Sequence, residues 1–158
     1  MMVDPKSSIL LPPWNGMSLP GLTRGAALLR SETLLIRDGE GSASLAGRPP
    51  REMTGQDLDA HVDLLSRKLI VLGLAPGDRV IVMMPNIVEA MVTLLAICRA
   101  GGVVVALPVF ADLETVTTAA LLTDAAGLVT MAGFAGLRPA EMARTAAAAA
   151  MSMRFVAC

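Results

Sequence analysis

Residues 79–84 read Arg-Val-Ile-Val-Met-Met, in which consecutive apolar side chains follow Arg79 with no polar alternation. A strand of this kind is buried on both faces, and parallel sheets acquire two covered faces from the helices that connect their strands. Residues 103–107 (VVVAL) and 127–131 (GLVTM) repeat the pattern, and 154–158 (RFVAC) forms a further strand candidate. Helical segments separate these runs. The alternation predicts an α/β fold with a mostly parallel, right-handed sheet, in which 79–84, 103–107 and 127–131 are all buried strands.

The helices carry their own start and stop signals. Thr54 is an N-cap candidate, with Asp57 three residues on completing an approximate capping box. Leu58, Val62, Leu65, Leu69 and Leu72 then recur at steps of four and three, the stripe of an amphipathic helix. Gly73 stands where a left-handed residue is needed, with Leu74 behind it as the hydrophobic contact. Residues 87–100 predict a second helix, apolar almost all round and therefore buried between layers. Asn86 with Glu89 repeats the capping-box pattern at its start, and Gly101 closes it. Asp112 caps a third helix that reaches about residue 123. Pro139 opens a fourth, with Glu141 near its positive end, that runs through the alanine tract 146–150. Small side chains there suit close packing.

The first 30 residues are rich in Pro, Gly and Ser and hold no period, so 1–30 reads as an irregular leader with Trp14 as its anchor. Residues 33–37 form a short strand candidate, 38–42 are turn-rich, and 49–53 form a second short strand or an extended approach to the first helix. Hydrophobic residues make up 54% of the 158-residue chain and charged residues 17%, a balance that excludes disorder. The best candidate stretch, 80–110, is interrupted by Pro85, Asn86, Glu89 and Arg99, and its longest clean pieces, 90–98 and 101–110, fall well short of the roughly 20 apolar residues of a spanning helix, so no transmembrane segment is expected. The start of the chain does not read as a signal peptide, because Asp4 precedes Lys6 and Pro12-Pro13 stops the apolar run 9–11. A formal charge of −1, no Tyr, three Phe and one Trp argue against a nucleic-acid partner. Cys98 and Cys158 make neither a disulfide framework nor a zinc site, so reduced thiols and a cytoplasmic location are expected.

Candidate chemical groups each have a structural explanation. His61, the only histidine, lies one helical turn after Asp57 and reads as half of a polar surface pair rather than a metal ligand. Asp59 and Asp63 flank it on other faces of the helix. Cys98 lies in an apolar helix, where a free thiol behaves as a small hydrophobe, and Cys158 has no catalytic partner. Met83, Met84 and Met91 are core fillers. Gly39-Glu40-Gly41 lacks a correctly placed third glycine, and Gly101-Gly102 lies between helix and strand, the reverse of a phosphate cradle. The chain contains no P-loop signature, no HExxH and no GxSxG. Catalytic, cofactor-binding and metal-ligating residues are all assigned as none.

Four pieces nonetheless occur in an informative order: Thr54-Gly-Gln-Asp-Leu58; Leu72-Gly-Leu-Ala-Pro-Gly-Asp-Arg-Val80; Met84-Pro-Asn86 with Glu89; and Arg99-Ala-Gly-Gly-Val-Val-Val-Ala-Leu-Pro108. Together they resemble the N-terminal portion of the adenylate-forming (AMP-binding) enzymes, the superfamily of acyl-CoA synthetases, luciferases and peptide-synthetase adenylation domains. The last piece looks more like the acyl-CoA synthetases. The resemblance implies an incomplete N-terminal α/β subdomain over 31–158, cut before the Ser/Thr/Gly-rich phosphate loop. It implies ATP, Mg and coenzyme A as cofactors of a full-length ligase that forms an acyl-adenylate and passes the acyl group to a thiol. It assigns no catalytic role to any residue here, because the family's catalytic motifs lie beyond this segment. One departure is Gly55, where the family has an aromatic after the Thr, which predicts a more loosely packed start to the helix.

These observations lead to a segment of an acyl-CoA synthetase-like ligase, inactive alone, with 72–80 and 99–108 as scaffold. The alternative is a non-catalytic module whose uncovered core face and open sheet edge pair with a second copy or with a complementary C-terminal polypeptide. A third reading, a small-molecule-binding α/β domain using the carboxyl ends of its strands, ranks last. Pro85, Asn86 and Pro108 stand there instead of convergent polar groups, and Asn86 is explained as a cap.

Overall fold

A computed structural model describes residues 18–158. Its main sheet is parallel, with strand order β4-β3-β5-β6, formed by β3 (Arg79–Met83), β4 (Val103–Leu107), β5 (Gly127–Thr130) and β6 (Phe155–Ala157). β3 pairs with β4 from Arg79↔Val103 to Met83↔Leu107 and with β5 from Val80↔Gly127 to Met83↔Thr130. Side-chain alternation along β3 feeds two cores. Val80 and Val82 join a cluster with α3 (Gly55–Val71) and α4 (Val88–Arg99); Ile81 and Met83 join one with α5 (Leu113–Thr123) and α6 (Pro139–Ala149). The unbroken apolar run of β3 is thus a central strand covered by helices on both faces.

Alanine makes the second layer thin. Ala120 of α5 and Ala143 and Ala146 of α6 are fully buried, so the two helices approach each other and the sheet closely. α3 begins as its sequence predicts: Thr54 Oγ1 accepts from Asp57 N–H at 3.2 Å, and the Asp57 carboxylate accepts from Thr54 N–H at 3.2 Å. It ends in a Schellman motif, with Gly73 at φ +100°, its N–H on Ile70 O at 2.9 Å and Leu74 N–H on Leu69 O at 3.0 Å.

Several expectations are corrected. The last part of the expected irregular leader is a helix, α1 (Leu19–Leu29), capped by Ser18, whose Oγ accepts from Gly21 N–H at 3.3 Å. Its glycines hide the helix from propensity, and tertiary packing supplies what propensity lacks. Trp14 lies outside the described residues. The turn expected at 38–42 gives way to a short helix, α2 (Glu40–Leu45), seated by the fully buried Ala43. The strand expected at 49–53 falls at β2 (Glu52–Thr54), antiparallel to β1 (Leu34–Arg37).

Two further corrections bear on function. β4, expected as a buried strand, is an edge strand that pairs only with β3, and Val103 is 49% exposed. Composition cannot distinguish the centre of a parallel sheet from its rim. Gly55 does not loosen the start of α3. It is buried, and a Cβ there would meet Arg30 O at 2.8 Å and Ala27 Cα at 3.0 Å. The space left by a missing side chain is filled by the backbone of α1.

Candidate functional site

Open α/β sheets place ligands at the carboxyl ends of their strands, where consecutive connections leave for opposite faces. In this chain the crossover from β3 through α4 runs to β4 on one side, and that from β5 through α6 runs to β6 on the other, so the switch point lies between β3 and β5. A groove of about 620 Å³ opens on the other side of β3, over β3 and β4, lined by Val82, Met84, Asn86, Met91, Val104 and Pro108 among others. Its walls are apolar. The exposed Asn86 lines it together with Arg37, so it can seat an apolar body but carries no nucleophile with a base.

The main ionic network of this end stands beside the groove. Asp38, following β1, has a side chain with no solvent exposure. Its Oδ1 accepts from Val88 N–H at 2.7 Å, and its Oδ2 accepts from Arg51 N–H at 2.8 Å and from Arg48 at 2.5 Å. Glu89 accepts from Arg48 and, at 2.7 Å, from Arg51. Burial pushes the Asp38 carboxyl upward, but hydrogen bonds from Arg48, Val88 and Arg51, with the nearby positive charge, hold it below its ordinary value. The hydrogen bond to Asp38 raises Arg48 above its ordinary value, against burial, with Glu89 adding to the rise. The local capping box expected of Asn86 and Glu89 is therefore overturned. Ile87 is the N-cap residue and makes no side-chain cap; the first helical N–H is satisfied by Asp38 from another element. No local sequence rule finds that partner.

The motif glycines collect at the opposite, amino end of the sheet. Gly101, at φ +86°, closes α4, and Gly102 N–H bonds Ile97 O at 2.9 Å. Gly77 N–H then bonds Gly101 O at 2.8 Å, and Val103 N–H bonds Asp78 O at 2.8 Å, so the two motif turns dock on one another. Arg154, at the start of β6, pairs with Asp78 and donates to Gly73 O at 3.2 Å. Arg99 binds Asp59 at 2.6 Å and lies 3.9 Å from Asp63, which also pairs with Arg67 at 2.7 Å. These residues assemble the sheet.

The remaining candidates stay apart. His61 Nδ1 donates to the Asp57 backbone carbonyl at 2.8 Å, while the Asp57 carboxylate is engaged in the capping box. Asp57 lies below its ordinary value because of the hydrogen bonds from Thr54. Burial pushes the half-buried Cys98 thiol up, away from a reactive thiolate; Cys158 is exposed at the end of β6. Among the described residues, no group of three His, Cys, Asp or Glu side chains is placed to hold a metal, and no helix is long and apolar enough to cross a membrane. Arg37 is the one charged side chain among the described residues that lines the groove. Arg48 and Arg51, the arginines bound into the network beside it, are committed to carboxylates, and Lys68 lies in the last turn of α3.

Comparison with known proteins places these elements in a family. The family model "AMP-binding enzyme" matches residues 37–155. The chain is 32% identical over 149 residues to the salicyl-AMP ligase / salicyl-S-ArCP synthetase of Mycobacterium tuberculosis, covering 90% of this chain and 24% of that protein. It is 36% identical over 88 residues to the propionate–CoA ligase of Salmonella typhimurium, covering 56% of this chain and 14% of that one. Among solved structures, apo MbtA of Mycobacterium smegmatis superposes with a TM-score of 0.73 at 26% identity, over 89% of this chain and 24% of its own. The N-terminal domain of FACL13 from Mycobacterium tuberculosis does so at 0.71 and 20% identity, over 89% and 34%.

Proposed function

The chain belongs to the AMP-binding enzyme family, and from that premise we propose that it is scaffold of an ATP-dependent ligase that activates a carboxylic acid as its acyl-adenylate. Residues 31–158 are the family domain in this reading, and the 158 residues do not catalyse adenylate formation by themselves. The observation that carries it is the match to a salicyl-AMP ligase along 90% of this chain, at a quarter of that protein's length. The family motifs present here build the turns at the amino end of the sheet, the strand β4 and the helix starts, and Arg99 among them is held by Asp59. ATP and Mg belong, in this reading, to the assembled ligase, which supplies the adenylation chemistry. The acyl acceptor is a thiol, coenzyme A being the one favoured by the look of 99–108. Two free cysteines suit a cytoplasmic setting.

Acid-dependent ATP–pyrophosphate exchange tests the proposal. The purified chain is expected to show none with salicylate or propionate. A chimera of the salicyl-AMP ligase carrying residues 37–155 of this chain in the matching place is expected to retain exchange. Exchange by the chain alone overturns its inactivity, and a folded chimera without exchange overturns the scaffold role.

A further inference from the structure

We propose that residues 34–54, the β1–α2–β2 unit, are a flap on the apolar groove, hinged at one end and latched by charge at the other to the start of α4. The flap opens as a unit while the four-stranded sheet stays folded. The inference is independent of the ligase reading, since every contact it uses lies within the described residues of this chain. β1 and β2 make a two-stranded sheet of their own that shares no strand with the main one. A pair of strands is marginal alone, so this unit is held by what it touches.

Both ends of the unit meet at one base. Leu34 pairs with Thr54, and Thr54 is the cap of α3. Beside them Gly55 N–H bonds Thr33 O at 3.1 Å and Gln56 N–H bonds Ser31 O at 3.0 Å. The register of the ladder breaks between Leu34 and Ile36, directly next to that base, and an irregular ladder is where a strand pair bends. The apolar attachment is here too, with Met53 buried in the first core and Ile36 packed against it. Away from the base the buried side chains of the unit are Ala43 and Asp38, while Leu45 is exposed.

The far end is held by polar contacts. Asp38 accepts from Val88 N–H, and Glu89 accepts from both Arg48 and Arg51. These bonds all reach the first two residues of α4. Among the described residues they are the hydrogen bonds that join the unit to the β3, α4 and β4 side of the groove. One further bond, from Ala135 N–H to Leu45 O at 3.0 Å, ties α2 to the loop after β5. Ile36 and Arg37 line the groove together with residues of β3, α4 and β4, so a movement of the unit about its base changes the width of the groove. Segments with few buried apolar contacts open before the core does. With Arg51 half-exposed and Glu89 29% exposed, the latch is open to water, unlike the sealed interior of β3.

Native-state amide exchange of the intact chain at neutral pH, in urea below the unfolding transition, tests the flap. The expected result is one shared opening for the amides of Asp38, Ala43, Arg48 and Arg51, protected about a hundredfold less than those of β3. Val88 and Ala135 donate to acceptors in the flap, so their amides should exchange in the same opening. Glu89→Gln removes the charge that Arg48 and Arg51 share and should raise exchange of the flap about tenfold, with β3 unchanged. Arg51→Gln, at a side chain 53% exposed, is the second variant if the first fails to fold. Exchange of the flap only with the whole chain, separate openings for its amides, or insensitivity of the folded variant overturns the proposal. Val88 and Ala135 amides that stay protected while the flap exchanges do so as well.

Discussion

The carboxylate of Asp38 caps the first N–H of α4 at Val88, fifty residues further along the chain, at a distance of 2.7 Å. The same side chain holds Arg48, so one buried anion joins the β1–β2 unit to the helix that follows the central strand. A helix with no cap of its own thereby acquires one through the tertiary fold.

Removing that anion should be costly. Asp38→Ala leaves the Val88 N–H unsatisfied and Arg48 with Glu89 alone. A loss of about 3 kcal/mol is expected from the broken ion pair and the lost cap together. Asp38→Asn keeps an oxygen for Val88 and should lose less. Urea denaturation of both variants checks the order, and equal losses would show that the cap contributes nothing.

The pH profile should follow from the same group. The Asp38 value is lower folded than its ordinary 3.8, so its stabilisation is fully present above that value. It is lost as pH falls through the lower, folded value. Asp57 and Asp112, lowered by hydrogen bonds from Thr54 and Thr115, act in the same direction. Stability should therefore hold on the neutral side and decline on acidification below about pH 4. Asp38→Asn should show a shallower decline in thermal melts across that range; an unchanged slope would contradict the role assigned to it.

At Gly55 the contact with α1 predicts the effect of one methyl group. Gly55→Ala forces the backbone of Ala27 and Arg30 away and should destabilise by about 1–3 kcal/mol, although alanine is the better helix former. Amide exchange should localise the loosening to α1. A stabilised variant would mean that α1 does not pack there.

Thiol labelling at neutral pH should separate the two cysteines. Cys158 is exposed, while burial raises Cys98, so the first modified peptide found by mass spectrometry should be the C-terminal one. Preferential labelling of Cys98 would mean that α4 opens readily.

Much of the architecture was written locally. Thr54 with Asp57, Gly73 behind Leu72, Asp112 before its helix and the run 79–84 are signals confined to a few residues, and they stand where the sequence places them. The family motifs were legible in the same way, and their turns meet at the amino end of the sheet. The candidate groove and its network were not. Asn86 satisfied every local rule for a cap and lost that role to a carboxylate from another element. Gly55 was an apparent gap until the backbone of α1 occupied it.

From residue 54 onward the chain's sequence alone determines which segments are strand, which are helix, and that the main sheet is parallel, because caps, stripes and apolar runs act over neighbouring residues; α1 and α2 depend on packing and were not legible in it. The tertiary structure alone decides that β4 lies at the rim, that Arg99 reaches back 40 residues to Asp59 and that Asp38 reaches forward 50 to Val88. Strand order and buried ion pairs depend on which distant surfaces meet. An apolar strand has the same composition at the centre of a sheet as at its edge, and only its neighbours in space distinguish the two.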